Sequence, residues 1–154
     1  MRKINALLLV FLFILLLPAC EKDKDLTRTE IITQKPWILT ASTVNPALET
    51  DYGLISDFFA IYPDCLRDDI WVFKTTGSFT KEEGVSRCNQ SDPTVWDVGT
   101  WSFSSDETVL ITSSDIYGIS EYEIVELTTA VMKLRYEAYD TLNNIYSFNE
   151  SYGH

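Results

Sequence analysis

The chain has 154 residues, with 12 basic against 23 acidic side chains and a formal net charge of −11. A surface that acidic repels phosphate backbones and anionic headgroups, which argues against a nucleic-acid partner. The length suits one domain, and the single histidine, His154, leaves few soft ligands for a zinc site.

The first twenty residues carry an address. Arg2 and Lys3 give a positive start, residues 6–17 are an unbroken apolar run, and Leu17-Pro18-Ala19 precedes Cys20. This is the layout of a secretory signal, and its apolar run falls short of the roughly 20 residues that span a bilayer. The ending resembles a bacterial lipobox, in which the cysteine thiol is lipidated and cleavage leaves Cys20 as the new N-terminus. The divisions expected are a signal peptide over 1–19, a lipidated N-terminus and flexible tether over 20–34, and a folded domain over 35–154. Cleavage would leave 135 residues with 10 basic and 23 acidic side chains, a net charge of −13. The expected location is the bacterial outer membrane, held by acyl chains such as palmitate. Residues 21–30 are charged and nearly free of apolar side chains, so they cannot bury enough surface to fold alone. They read either as a plain solvated spacer or as a signal for export to the cell surface.

Beyond the tether the pattern turns to period two. Residues 37–44 place Trp37, Leu39 and Ala41 on one face, as a half-buried strand does. Residues 54–61 break the rule: Leu54, Ile55, Phe58, Phe59 and Ile61 fit one helical face, and Pro63 would stop that helix. The run 70–73 leads through Thr76-Gly77 into 78–80, a hairpin signal. Strands are then expected around Trp101 and Phe103, over 108–112, around Tyr122 and Ile124, over 130–138, and around Tyr146 and Phe148. About eight strands with short turns favour an all-β antiparallel barrel or sandwich, here with one short helix after the first strand.

Three cysteines need placing. With Cys20 given to lipid, Cys65 and Cys88 form an even pair in an oxidising compartment. A disulfide is the simplest reading; two free thiols, or a metal pair, are the others. A hairpin turning at Thr76-Gly77 pairs residues whose numbers sum to about 153, as 65 and 88 do, and opposed strand residues sit at bridging distance.

Chemistry-bearing clusters are thin. Asp64, Asp68 and Asp69 crowd Cys65, with Glu82 and Glu83 on a neighbouring strand. They could offer oxygen ligands to calcium or a carboxylate pair to a glycoside, or be a solvated acidic loop. No EF-hand pattern, Gly-X-Ser-X-Gly elbow or Gly-rich phosphate loop is present. A Ser-His-Asp triad would need His154 at a frayed end. The expectation is therefore no enzyme, no cofactor and no resident metal. The chain is rich in rings: Trp37, Trp71, Trp96, Trp101 and eight tyrosines. Most suit a core; Trp96, in the loop before a strand, is the candidate for ligand contact.

Taken together, the order of these pieces resembles the lipocalin-like lipoproteins of Bacteroidota. The matching parts are the lipobox cysteine with its charged tether, Trp37, the segment 63–73, Thr76-Gly77-Ser78-Phe79, Glu82-Glu83-Gly84, Cys88 with Ser91-Asp92-Pro93, residues 99–103, Ile124-Val125-Glu126-Leu127 and Met132-Lys133-Leu134. Trp37 follows Lys35-Pro36 where true lipocalins carry Gly-X-Trp. The resemblance implies a small up-and-down barrel of about eight strands, with the two cysteines bridged near one end. Two functions then stand: a non-catalytic module binding a small apolar ligand in the barrel, or an envelope accessory protein binding a partner protein or glycan through its loops or outer face.

Overall fold

The computed structural model describes residues 25–51 and 53–154. The expected signal peptide and the expected lipidation site, Cys20, therefore lie outside the described residues.

The described chain opens with a helix, α1 (Arg28–Ile32), inside the segment expected to be a tether. A capping box starts it: the Glu30 N–H donates to the Thr27 hydroxyl at 3.1 Å, and the Thr27 N–H donates to the Glu30 carboxylate at 2.8 Å. Ile32 is fully buried in the barrel core. Ile31 and Ile32 supply the apolar face that residues 21–30 lack.

Nine strands follow among the described residues. They are β1 (Trp37–Thr50), β2 (Gly53–Asp57), β3 (Ile70–Phe73), β4 (Ser78–Glu82), β5 (Val95–Phe103), β6 (Val109–Ser114), β7 (Gly118–Leu127), β8 (Met132–Tyr139) and β9 (Ile145–Gly153). From β3 to β9 each strand pairs antiparallel with the next, and β9 returns to β1 from Ile38↔Gly153 to Asn45↔Ser147. The seam between β1 and β3 is narrow, held by Trp37↔Trp71 and Ile38↔Ile70. Eight strands therefore close an antiparallel up-and-down barrel, and β2 is a ninth, hairpinned onto the outer half of β1.

Residues 54–61 do not form the expected helix. Gly53, at φ 107°, reverses the chain so that Thr50↔Gly53 and Leu48↔Ile55 pair. The backbone bonds of β2 then go to β1, and Leu54 is left 74% exposed. The N–H groups of Phe58 and Phe59 both donate to the Ser42 carbonyl, at 2.8 and 3.2 Å. The helix that does form, α2 (Asp64–Arg67), begins three residues after that segment ends, with Pro63 at its N-cap instead of ending a helix. The described residues thus hold two short helices where one was expected.

The β3–β4 hairpin is one residue tighter than expected. Its pairs run from Ile70↔Glu82 to Phe73↔Phe79, with numbers summing to 152. Gly77 takes the left-handed conformation (φ 81°) at its turn, and its N–H donates to the Lys74 carbonyl at 3.0 Å.

The packed core sits towards one end of the barrel. Ile32, Trp37, Trp71, Phe73, Phe79, Trp101, Leu110, Met132 and Leu134 fill it, each worth about 1.5–3 kcal/mol in apolar burial. α1 lies over this end against β7. Following the inward positions along each strand, rings and aliphatics give way to charged or hydroxyl-bearing groups: Phe79 to Lys81 on β4, Trp101 to Asp97 on β5, Leu134 to Tyr136 on β8 and Tyr152 to Glu150 on β9. The other end is where space remains.

Candidate functional site

That space is a cavity with two adjoining lobes, of about 470 Å³ and about 810 Å³. Both lobes are lined by Tyr62, Trp71, Lys81, Trp96, Tyr117 and Tyr152. The first lobe adds apolar wall from Leu39, Leu66 and Ile70, with Asp69 and Glu83 on its rim. The second is more polar, adding Ser120, Glu121, Tyr122, Tyr136, Glu137 and Glu150.

Lys81 stands where the lobes meet. Its Nζ lies 4.8 Å from the Trp71 ring centre, 5.5 Å from Trp96 and 5.1 Å from Tyr117, within cation–π reach of all three. Its ion pair with Asp97 is loose, at 3.9 Å, although the Asp97 side chain is almost wholly buried. Burial lowers the Lys81 pKa, against the opposing pull of Asp97 and Glu150.

Glu150 faces Lys81 from β9. Burial raises its pKa, offset by the hydroxyl of Tyr152, which donates to its Oε2 at 2.6 Å, by Lys81 and by Tyr136. Burial also pushes the Tyr152 and Tyr136 phenols up, with the Glu150 carboxylate as the next cause in each. On the rim, burial and the Glu83 carboxylate raise Asp69 from 3.8 to about 6.

The expected site residues fall in different places. Cys65, in α2, and Cys88, in the loop after β4, are bonded, with Cα atoms 5.2 Å apart. The bridge pins α2 and its Leu66 over the cavity mouth. It lies beyond the β3–β4 ladder, so the two chains leaving the hairpin make it, not opposed strand residues. Trp96 is not in a loop; it is a half-buried residue of β5. The pairing passes from Lys81↔Asp97 to Glu82↔Val95, so Trp96 is the extra residue of a bulge that turns its ring into the cavity.

The acidic trio does not converge as a calcium site. The Asp64 carboxylate is exposed and meets Arg67 at 3.3 Å. Asp68 accepts the N–H and hydroxyl of Ser86, at 2.7 and 2.9 Å. Asp69 faces Glu83. Among the described residues no group of three or more carboxylate, histidine or cysteine side chains is placed to hold a metal ion. Glu82 accepts the Thr80 hydroxyl. His154 is not frayed: its ring packs on Trp37 at 4.2 Å, and its Nδ1 lies 2.7 Å from the Pro36 carbonyl oxygen.

Sequence reasoning missed Lys81, Asp97, Glu150 and the tyrosines around them. The signal was there in phase. Lys81 follows Phe79 by two residues, Asp97 precedes Trp101 by four, and Glu150 sits between Phe148 and Tyr152. A charge on the inward phase of a barrel strand is costly unless it serves something.

The lipocalin-like domain family profile matches residues 33–134. No curated protein matches the chain. Among solved structures, the fold is similar to bovine odorant binding protein in complex with a selenium-containing odorant, at 15% identity, covering 88% of this chain and 76% of that one, with a TM-score of 0.44. The complex of bovine odorant binding protein with undecanal gives 14% identity, 86% and 76% coverage and a TM-score of 0.43. The bovine lipocalin allergen Bos d 2 gives 12% identity, 83% and 75% coverage and a TM-score of 0.42. The profile match, spanning most of the described barrel, places this chain in the lipocalin-like domain family.

Proposed function

We propose that the protein is a non-catalytic binding module that holds one small ligand inside its barrel and is anchored to the bacterial envelope through a lipid on Cys20. The observation that carries the binding reading is the two-lobed cavity. Each lobe's volume falls in the range of small-molecule sites, roughly 300–1,000 Å³, and rings from six strands and two loops line the two lobes. The ligand has an apolar body for the first lobe and a polar end for the second. This differs from a wholly apolar ligand because Glu150, Glu121 and five tyrosines line the larger lobe.

The interior is favoured over the outer face. Trp37, Trp71 and Trp101 are buried, and the ring of Trp96 lines the cavity, so none of the four tryptophans offers an outward stacking surface.

The neutral dye phenylnaphthylamine tests the reading. Titrated into the purified protein, it is expected to bind saturably at one site and to accept energy from Trp71 and Trp96. Trp96→Ala is expected to weaken that binding about ten-fold, as for the loss of one stacked ring and its buried area. Non-saturable binding, or binding indifferent to Trp96→Ala, overturns it.

A further inference from the structure

Lys81 is an under-compensated cation. An ammonium has three N–H donors, yet no acceptor stands at hydrogen-bond distance from its Nζ among the described residues. Its counter-ion Asp97 is 3.9 Å away. The rings of Trp71, Trp96 and Tyr117 hold the charge by their faces and use none of its N–H groups. Desolvation outweighs what Asp97 and Glu150 return to it. Glu150 is already engaged by the Tyr152 hydroxyl and is itself pushed towards the neutral acid by burial. Asp69 and Glu83 act on each other at the rim, and neither is among the charges acting on Lys81.

A second donor shares the same wall. The indole N–H of Trp71 is buried and has no acceptor among the described residues, and Trp71 lines both lobes. A buried donor left unmade costs about 1–3 kcal/mol, more when it is charged. The meeting point of the two lobes therefore lacks an acceptor, best a charged one.

We propose that the cavity takes an amphipathic monoanion, whose carboxylate or sulfonate head seats on Lys81 beside the Trp71 indole and whose apolar body lies in the ring-lined lobe. This deepens the binding reading above and rests on it. The head group completes the ammonium's hydrogen bonds in a site largely shielded from water, where a charge-assisted bond is strong. Asp97 becomes the internal competitor. It draws on the same ammonium, and its two buried oxygens accept no hydrogen bond among the described residues.

Two dyes with the same ring body separate this proposal from the reading it rests on. Anilinonaphthalene sulfonate carries one anionic head; phenylnaphthylamine carries none. Both are titrated into the purified full chain at neutral pH, read by energy transfer from the cavity tryptophans. Lys81→Met is expected to weaken the sulfonate about ten-fold relative to the neutral dye, the loss of one charge-assisted hydrogen bond. Lys81→Arg is expected to keep the sulfonate bound. Asp97→Asn, which frees the ammonium, is expected to tighten the sulfonate and not the neutral dye. Retained binding of the neutral dye shows that each variant keeps its barrel. If both dyes bind and Lys81→Met leaves the sulfonate unchanged, the anion subsite is wrong and the cavity reading stands. If neither dye binds the unaltered protein, the cavity reading falls and this proposal with it.

Discussion

The indole N–H of Trp37 donates to the backbone carbonyl of Ile32 across 2.9 Å. Both residues are fully buried, so the bond welds the last turn of α1 to the first residue of β1 inside the core. α1 is too short to hold on propensity alone; its stability comes from this bond, the Thr27–Glu30 box and the burial of Ile32. Ile32→Ala is expected to cost about 2–5 kcal/mol by removing buried aliphatic volume at the barrel end. Trp37→Phe keeps an aromatic ring, smaller than the indole, but strands the Ile32 carbonyl, the latter at about 1–3 kcal/mol. Urea unfolding measures both; an Ile32→Ala variant as stable as the parent would mean that α1 does not dock.

These two residues also mark where the sequence stops being legible. Strands from residue 70 onwards announce themselves because one face of each is wet and the other dry, which imposes period two. α1 is five residues long, and its apolar stripe is only Ile31 and Ile32, too little to show a period. β2 misled in the opposite way. It lies outside the ring on β1, mostly exposed, so no core face imposed alternation, and Phe58 and Phe59 lent it a helical spacing by accident. The disulfide pairing was legible from cysteine count and chain order. The cavity was not, because a Lys81 that lines a pocket and a lysine on a solvated strand face look alike until register assigns the inward side.

The Cys65–Cys88 bridge closes a separation of 23 residues containing the whole β3–β4 hairpin. In the chain-entropy model a loop of that size contributes about 3–4 kcal/mol. Cys88→Ser is expected to lower the melting temperature and to loosen α2, which carries Leu66 at the cavity mouth. Reducing the parent protein should reproduce the shift, and reducing the variant should add nothing. A melting temperature unaffected by reductant would show that other contacts hold α2.

Asp69 gives the rim a pH dependence whose sign follows from its neighbours. Burial and Glu83 raise it to about 6 in the folded protein, against 3.8 ordinarily. Between those values the folded state keeps a proton that the unfolded state has lost. Stability from this group is therefore complete below 3.8 and is lost as the pH rises to about 6. Glu150, also raised by burial, adds a loss of the same sign, so the diagnostic is a difference between proteins. Asp69→Asn is expected to flatten the fall in urea midpoint between about pH 4 and pH 6 relative to the parent. Parallel curves for the two proteins would show that the fold does not raise the Asp69 pKa.

The envelope half of the proposed function rests on the lipid proposed for Cys20. No helix among the described residues is long and apolar enough to cross a membrane. Each buried acyl methylene contributes about 0.8 kcal/mol, and stable attachment needs two chains or a second signal. The residues between Cys20 and α1 mix lysines with acidic groups, so they supply no polybasic patch to serve as that signal. Cys20→Ala is therefore expected to move the protein from the detergent phase to the aqueous phase on partitioning, or to leave the precursor unprocessed. It is also expected to remove the mass of the acyl chains from the N-terminal peptide. A Cys20→Ala protein still cut before residue 20 and still membrane-bound would place the anchor elsewhere and end the lipoprotein reading.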